Sequence, residues 1–240
     1  MSLDLMSIPS ATETWWALPE AKRHRIEQAA LHTFATYGYD QASLTQLVAD
    51  LGIAKGSLYQ YFDGGKLGLF VHLMQEGGRR KVAAMRQVVP EEPAPGAHIA
   101  APADGDPGMQ RLRAMYLQGL RFWREEPLFA AVFWRLEMPS REPALRQLAE
   151  KSKSAGRAFV RSYLESGQAA GTIRTDIPLT TLTELVYGTV SVGLLRSLFI
   201  AAGMGEAFEP SNEPLALSDE QLMAIIDHAL AYVHGGVRAR

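Results

Sequence analysis

The stretch Ser43–Phe62, which reads SLTQLVADLGIAKGSLYQYF, decides the fold of this chain. Its first half has apolar residues at the three- and four-residue spacing of one helix face, namely Leu44, Leu47, Val48 and Leu51. Gly52 supplies the left-handed backbone that commonly ends a helix, and a second helix is predicted from about Ala54 to Phe62. Two short helices joined by a tight glycine turn are typical of a helix-turn-helix.

The first of these helices has a start signal in its own sequence. Ser43 is expected to accept a hydrogen bond from a free backbone amide, while the side chain of Gln46 reaches back to the amide of Ser43. This capping box predicts where the helix begins.

The second helix separates into an apolar and a polar face when its residues are placed at 100° intervals. The apolar arc is predicted to face the other helices and consists of Ala54, Leu58, Tyr61 and Phe62. The opposite arc combines a cation, a glycine, hydroxyls and an amide: Lys55, Gly56, Ser57, Tyr59 and Gln60. Such a surface suits a DNA major groove, because an amide pairs with a base edge while cations and hydroxyls reach phosphates.

Helical patterns flank this motif on both sides. A helix is predicted from Pro19 to Gly38, with a buried stripe of Ile26, Ala30, Thr33, Phe34 and Tyr37. Another is predicted to open at Lys66 and to bury Leu67, Phe70, Val71 and Met74. That helix meets Gly77 and Gly78, two poor helix formers in succession, which are predicted to kink or fray it.

The chain beyond this helix divides into a linker and a helical body. The linker, Pro90–Gly108, contains five prolines and three glycines and is predicted to be mobile. Helices are then expected near Met109–Glu126, Leu128–Met138, Ala144–Gly167, Leu179–Ala201 and Ser218–His234. No segment alternates like a strand, so the predicted fold is all-α, with a three-helix head, a larger helical domain and about nine helices.

Three regions follow from these patterns. Residues 1–18 form an N-terminal arm, and its Trp15 and Trp16 are expected to dock on the body because tryptophans are costly to leave in water. Residues 19–66 form the helix-turn-helix head, and residues 67–240 form the larger helical domain.

Composition predicts a soluble, cytoplasmic protein. There is no cysteine, which excludes disulfides and thiolate ligands. No signal peptide is recognised, and no membrane span is expected because polar residues and glycines interrupt Val186–Ala202. The formal charge is −2, but nine Lys and Arg against six Asp and Glu give residues 19–86 a net charge of +3, which permits contact with DNA.

The run Arg25–Phe70, which includes TYGYDQASLTQLVADLGIAKGSLYQYFDGGK, resembles the DNA-binding domain of the TetR family of regulators. The shared features are the Gly-Tyr pair, the Ser cap, the Gly-Ile turn and the Lys-Gly-Ser-Leu-Tyr-x-Tyr-Phe run. Two departures affect the entry of the fourth helix. The turn Asp63-Gly64-Gly65 is one residue longer than usual, and Leu67 stands where an acidic residue is common.

The resemblance implies a homodimer that inserts two recognition helices into successive major grooves of a near-palindromic operator. It also implies repression that is released when a small ligand binds. From the sequence itself we expect that ligand to be apolar, and we expect no cofactor and no metal. The implied DNA-contacting residues are Ser43, Thr45, Lys55, Gly56, Ser57, Tyr59, Gln60 and Lys66. Lys22, Arg23 and Arg25 are further candidates for phosphate contacts.

The body offers candidates for dimerisation and for effector binding. The helices near residues 179–201 and 218–234 are expected to form the dimer, because the first is apolar over most of its circumference. The second has one apolar face of Leu222, Ile225, Ile226, Ala229 and Val233. The predicted effector site is a cluster of Met115, Phe122, Trp123, Phe129, Phe133, Trp134 and Tyr187, residues that also fit an ordinary helical core.

Two other functions can be weighed against a regulator. An enzyme is disfavoured, because the histidines lack metal-ligand spacing and the sequence has no HExxH, phosphate-loop or GxSxG motif. The alternative is a TetR-like adaptor that binds a ligand or a protein without DNA. The basic, hydroxyl-rich face of Lys55–Gln60 argues against that alternative.

Overall fold

The computed structural model describes residues 11–86, 107–136, 141–204 and 211–238. In those ranges the chain forms helices and turns, with two isolated backbone bridges and no strand, so the predicted all-α class is confirmed. The predicted linker Pro90–Gly108 lies outside the described residues except for its last two, and the predicted arm is described only from Ala11.

The described residues form eleven α-helices and one π-helical turn. The N-terminal helices are α1 (Glu13–Trp16), α2 (Glu20–Gln41), α3 (Leu44–Leu51), α4 (Lys55–Tyr61) and α5 (Lys66–Arg86). The later helices are α6 (Pro107–Glu125), α7 (Pro127–Leu136), α8 (Pro143–Ala169), α9 (Leu179–Gly188), α10 (Leu194–Ala201) and α11 (Asp219–Val237). The π-helical turn, Thr189–Gly193, joins α9 to α10.

These bounds lie within a few residues of those predicted from the sequence. The helix predicted to end at Gly38 continues to Gln41, but Gly38 interrupts its regular geometry with φ 69° and ψ 172°. A glycine adopts this left-handed φ without the steric cost that a Cβ brings. The short helix α1 and the π-helical turn have no counterpart in the predictions.

The chain divides into two compact units that do not follow the order of the sequence. The first unit holds the described residues up to Arg80, those between Glu126 and Ala149, and a short stretch ending at Pro214. The second unit holds the other described residues. The helix α7 therefore belongs to the same unit as the helix-turn-helix and packs on α2, whereas the predicted regions assign it to the larger domain.

The core of the first unit brings the predicted head helices together. Its most deeply buried side chains include Ile26, Phe34, Leu47, Leu58 and Phe62. The prediction for Tyr37 is wrong, because 57% of this residue is exposed. Leu31 and Ala35 complete the buried stripe instead, and the helix breaks at Gly38 before the stripe can continue. Leu44 and Leu67, both expected to be buried, are half-buried.

The predicted kink in α5 is absent, because the helix runs through Gly77 and Gly78 without a break. A Cβ placed on Gly77 would lie 2.5 Å from Cδ1 of Phe129 in α7. A Cβ on Gly78 would meet no heavy atom within 4 Å. Gly77 therefore permits the close packing of α5 on α7, which is a structural reason for a glycine in mid-helix.

An arginine of α7 completes the end of α2. The guanidinium of Arg135 donates to the carbonyl oxygens of Ala35 at 2.6 Å and Thr36 at 2.7 Å. These carbonyls precede the break at Gly38, where the regular helical acceptor pattern ends. Arg135 therefore supplies donors that α2 itself lacks.

The second unit encloses the first half of α11. Ser218 and Gln221 form a capping box at its start, and Asp219 forms ion pairs with Arg121 and Arg124 of α6. Leu222 and Ile226 are fully buried inside the protomer. The expectation that these two residues face a dimer partner is therefore wrong, because α11 packs on α6 and α10 with that side.

The segment Leu179–Ala201 is long and apolar enough, by length and composition alone, to cross a membrane. The sequence analysis expected polar residues and glycines to interrupt this region too often for a span, and that expectation underestimated how apolar the segment is. Its Leu182, Val186, Leu194 and Leu198 are buried in the protein, and Glu184 is exposed. One such helix is weak evidence for a membrane span, because core helices of soluble proteins meet the same criterion.

Candidate nucleic-acid interface and effector pocket

The first helix of the motif begins at the predicted cap, but only half of the predicted capping box forms. The hydroxyl of Ser43 accepts a hydrogen bond from the backbone amide of Gln46 at 3.3 Å. The side chain of Gln46 does not return to Ser43 and instead donates to Oδ1 of Asp50 at 2.7 Å. Ser43 and Thr45, both predicted to lie near phosphates, are exposed at this end of α3.

The polar arc of α4 faces outward, as the helical spacing indicates. Leu58, Tyr61 and Phe62 are buried, and the opposite residues Lys55, Gly56, Tyr59 and Gln60 are exposed. Ser57 is half-buried. Ala54 was expected in the core and is exposed, because it is the extended residue before the helix rather than part of its first turn. Contact of this arc with DNA stays a prediction.

The turn after α4 holds the ring of Tyr59 in place. Gly64 and Gly65 adopt left-handed φ values of 73° and 60°. A Cβ on Gly65 would lie 2.5 Å from Cε1 and 2.9 Å from Cδ1 of Tyr59, so the ring rests directly on the glycine backbone. The additional residue in this turn therefore places a glycine against an exposed tyrosine of the polar arc.

Lys66 begins α5 and is half-buried rather than extended into solvent. Its ammonium lies 4.7 Å from the ring centre of Tyr39 and donates to the carbonyl oxygen of Asp40 at 3.4 Å. Burial lowers the pKa of Lys66, and the nearby Asp40 acts in the opposite direction. Burial, followed by the charges of Glu142 and Asp40, raises the pKa of Tyr39 to about 12.

The basic residues at the start of α2 already have partners within the protein. Arg25 donates to the carbonyl oxygen of Leu51 at 3.2 Å, at the end of α3. Arg23 donates to the carbonyl oxygen of Trp16 at 2.9 Å, and Lys22 lies over the ring of Tyr61 at 5.7 Å. These contacts give each side chain a structural role, and their proposed phosphate contacts stay predictions.

The arm makes contacts with α4 that sequence reasoning missed. The hydroxyl of Thr12 lies 2.6 Å from the carbonyl oxygen of Gln60, and its backbone amide donates to the carbonyl oxygen of Tyr61 at 3.0 Å. Trp15 is fully buried, as the expected docking of the arm requires, whereas Trp16 is 58% exposed. A pairing between residues 48 positions apart leaves no local pattern in the sequence.

The residues of the predicted aromatic effector site are divided between the two units. The second unit contains Met115, Phe122, Trp123 and Tyr187. The first unit contains Phe129, Phe133 and Trp134. Phe129 is 1% exposed and packs against the backbone of Gly77, while Tyr187 packs against Gly156. Both contacts fit the core role that the sequence also allowed, and effector binding by these residues stays a prediction.

A pocket lies within the second unit, between α6, α8, α9, the π-helical turn and α11. Its volume is about 470 Å³ when its solvent-facing mouth is included. Apolar side chains form most of the lining, and its polar groups belong to Tyr116, Tyr163 and His234. Burial first, and then the nearby Tyr163, raise the pKa of Tyr116, so this phenol stays protonated and can donate a hydrogen bond at neutral pH.

A metal centre has no support in the part of the chain that the structure describes. Groups of three or more His, Asp or Glu side chains that could hold an ion are absent there. The candidate sites are therefore the polar arc of α4 and the apolar pocket of the second unit.

Known proteins resemble this chain both in sequence and in fold. Residues 26–73 match the family described as "Bacterial regulatory proteins, tetR family". The "HTH-type transcriptional repressor AcnR" of Corynebacterium jeikeium (strain K411) is 28% identical over 163 residues, which cover 68% of this chain and 74% of that protein. The "HTH-type transcriptional regulator LmrA" of Bacillus subtilis (strain 168) is 39% identical over 64 residues, 25% of this chain and 34% of that one. A solved TetR family transcriptional regulator from Chloroflexus aurantiacus J-10-FL has a TM-score of 0.66 and 24% identity, and covers 96% of this chain and 100% of its own.

Proposed function

We propose that this chain is a regulator of the TetR family, namely a cytoplasmic repressor that leaves a near-palindromic operator when an apolar effector binds. Members of this family are transcription regulators and not enzymes. They bind operator DNA as homodimers and respond to small ligands. The operator, the effector and the residues that contact them are the parts proposed for this chain.

The observation that carries the proposal is the exposed polar arc of α4. Lys55, Tyr59 and Gln60 are exposed on a helix whose opposite side is anchored by the fully buried Leu58 and Phe62. We assign base contact to Gln60 and phosphate contact to Lys55 and Tyr59, because an amide reads a base edge while a cation or phenol binds phosphate oxygen. The exposed glycine at position 56 adds no side chain between the helix backbone and the groove.

The supporting phosphate contacts are assigned to the flanking helices. Ser43 and Thr45 are exposed at the start of α3, where free backbone amides and the helix dipole favour an anion. Ser57 lies half-buried in α4, and Lys66 begins α5 with part of its side chain exposed. Lys66 is assigned the weaker contact, because its ammonium already interacts with Tyr39 and Asp40.

The effector is proposed to bind in the pocket of the second unit. Val160, Val186 and Val190 provide apolar walls, which favour a ligand with large apolar surface. The phenols of Tyr116 and Tyr163 supply hydrogen bonds for one polar group of that ligand. We therefore propose that residues of α6, α8, α9 and α11 which line this pocket contact the effector, in place of the aromatic cluster predicted from the sequence.

The dimer is proposed to form through α9, α10 and α11, on residues other than those buried inside the protomer. Leu185, Ile200 and Tyr232 are 59%, 63% and 76% exposed on these three helices. A contiguous exposed apolar patch marks an interaction surface, and α10 packs on α11 within the protomer, so that Ile200 and Tyr232 lie on adjoining helices. They therefore replace Leu222 and Ile226 as the proposed interface residues.

The test of DNA binding uses the fragments that flank the gene of this protein and, beyond them, fragments of the whole genome. We expect a discrete gel-shift complex with wild-type protein that weakens as salt is raised, since phosphate contacts release counterions. The double variant Lys55→Ala/Tyr59→Ala should lose the complex while remaining folded. The variant Arg161→Ala, which removes one exposed cation from the second unit, should bind as wild type does. Absence of any complex with the wild-type protein would favour the adaptor alternative.

The pocket is tested with N-phenyl-1-naphthylamine, an uncharged apolar dye that fluoresces on burial. The wild-type protein should bind the dye with saturation, and Val190→Trp should fill the pocket and prevent that binding. Val82→Trp is the control, because residue 82 is already exposed and is not part of the pocket lining. Equal dye binding by all three proteins would show that the effector site lies elsewhere.

A further inference from the structure

The recognition helix α4 is short and poorly capped by its own sequence. It has seven residues, about two turns, and helices of that length are marginal unless other parts of the protein stabilise them. Its N-cap residue, Ala54, provides no side-chain hydrogen bond. Its C-cap residue, Phe62, is extended with φ −134°, unlike Gly52, which ends α3 in the left-handed conformation. The last carbonyl groups of α4 therefore need donors from outside the helix.

Those donors come from the arm. The backbone amide of Thr12 donates to the carbonyl oxygen of Tyr61 at 3.0 Å. The side-chain hydroxyl of Thr12 lies 2.6 Å from the carbonyl oxygen of Gln60 and 3.2 Å from the carbonyl oxygen of Tyr61. Ala11 and Phe62 form an isolated antiparallel bridge beside these bonds. The arm thus holds the turn of α4 that carries Tyr59 and Gln60, the two proposed DNA-contacting residues nearest its end.

The arm is itself anchored by Trp15. This side chain is fully buried, with its ring 4.6 Å from that of Phe62 and 5.2 Å from that of His72 in α5. Its indole N–H has no hydrogen-bond partner among the described residues, so packing alone fixes the ring. Thr12 also accepts a hydrogen bond from the amide of Trp15 at 3.3 Å, which links the anchor to the residue that bonds α4.

We propose that Thr12 and Trp15 are positioning residues for the recognition helix α4. Sequence-specific DNA binding then depends on two residues of the arm that hold α4 in place and do not themselves contact a base. Thr12 holds the backbone of Gln60 in place through a hydrogen bond to its carbonyl oxygen, and the buried ring of Trp15 keeps Thr12 against that backbone. This inference rests on the proposed function, because it gives the arm a role in how α4 meets DNA.

The test compares Thr12→Val, which keeps the β-branched shape and removes the hydroxyl, with Thr12→Ser, which keeps the hydroxyl. The control is Thr175→Val, at an exposed turn position of the second unit. Each protein is titrated with the shortest genomic fragment that the wild type binds and with a random duplex of equal length. Hydrogen exchange of the α4 amides is followed in the same samples.

We expect Thr12→Val to bind the genomic fragment about tenfold more weakly, the equivalent of roughly 1.4 kcal/mol. Its affinity for the random duplex should fall less, by no more than about threefold, because Tyr59 is the one proposed phosphate contact on the turn that Thr12 holds, whereas Ser43, Thr45 and Lys55 lie away from it. Exchange at the end of α4 should become faster. Thr12→Ser and Thr175→Val should both resemble the wild type.

Two results would overturn the inference while leaving the proposed function intact. One is unchanged specific binding by Thr12→Val, and the other is an equal loss of specific and random binding, which a merely structural role would produce. A wild-type protein that binds no genomic fragment would instead remove the proposed function, and this inference with it.

Discussion

The ring of Tyr59 rests on the backbone of Gly65, so closely that a Cβ at residue 65 would lie 2.5 Å from Cε1 of the ring. Gly65 also has a φ of 60°, a backbone angle that residues other than glycine rarely adopt. This contact joins the turn after α4 to an exposed residue of the polar arc. The position of Tyr59 therefore depends on a residue that need not touch DNA.

Gly65→Ala is expected to weaken operator binding by displacing Tyr59. The left-handed φ should cost about 1–2 kcal/mol of folding stability, and the clash should shift the ring from the polar arc. Gly64→Ala is a matched control, because its φ is 73° but its Cβ would meet no atom closer than 3.9 Å. Urea unfolding should show similar losses for the two variants, and gel shifts should show an affinity loss for Gly65→Ala alone. Equal affinities would mean that Tyr59 does not contribute to binding.

Gly77→Ala and Gly78→Ala are expected to change stability in opposite directions. A methyl group at Gly77 meets the ring of Phe129 at 2.5 Å, and overpacking of this kind costs about 1–3 kcal/mol. At Gly78 the methyl group meets nothing within 4 Å, and alanine should gain about 0.5–1 kcal/mol from its higher helix propensity. Chemical denaturation of the two variants measures the difference. If both were stabilised, the close packing of α5 on α7 would be wrong.

Local signals explain which parts of the fold the sequence predicts. Ser43 and Gly52 mark the ends of α3 through hydrogen bonds and backbone angles that involve neighbouring residues. Leu58, Tyr61 and Phe62 define the inner side of α4 by spacing alone. The polar arc lies opposite them by the same spacing, so the sequence is sufficient to name its candidate DNA-contacting residues.

Contacts between distant residues explain what the sequence does not predict. Arg135 donates a hydrogen bond to the carbonyl oxygen of Ala35, 100 residues away in the sequence. Nothing in the sequence around Ala35 or around Arg135 indicates that pairing. Thr12 reaches α4 in the same way. The apolar face of α11 has the spacing of a dimer helix, yet spacing cannot tell whether Leu222 packs inside the protomer or against a partner. Only the packing of α11 on its own unit decides that question.

Ile200→Glu is expected to weaken the proposed dimer. Ile200 is 63% exposed on α10, and a carboxylate buried in the proposed apolar interface would lose hydration without gaining a partner. Sedimentation velocity should show a shift from dimer to monomer at micromolar concentration. Val82→Glu is the control, because Val82 is an exposed apolar residue of α5 rather than of α9, α10 or α11. A dimer that persists in Ile200→Glu would place the interface elsewhere.

Lys81 makes the stability of the protein depend on pH in the alkaline range. Its ammonium lies 4.4 Å from the ring centre of Trp123, and burial lowers its pKa from 10.5 to about 8. Between pH 8 and 10.5 the unfolded chain therefore keeps a proton at Lys81 that the folded chain has released. Stability rises with pH wherever the unfolded state binds more protons, so this group adds stability as the pH increases through that window. Below pH 8 both states are charged, and the folded state carries the full desolvation cost.

Lys81→Met is expected to raise the free energy of unfolding at pH 7 and to flatten its rise between pH 8 and 10.5. The gain at pH 7 should be about 1–2 kcal/mol, less than the full pKa shift implies, because the side chain is only half-buried and the contact with Trp123 is lost. Urea unfolding at several pH values measures both effects, and the difference from wild type cancels the titration of all other groups. Val82→Met, at the exposed neighbouring position of α5, should leave the alkaline slope unchanged. A wild-type slope that persists in Lys81→Met would assign the alkaline stabilisation to another group.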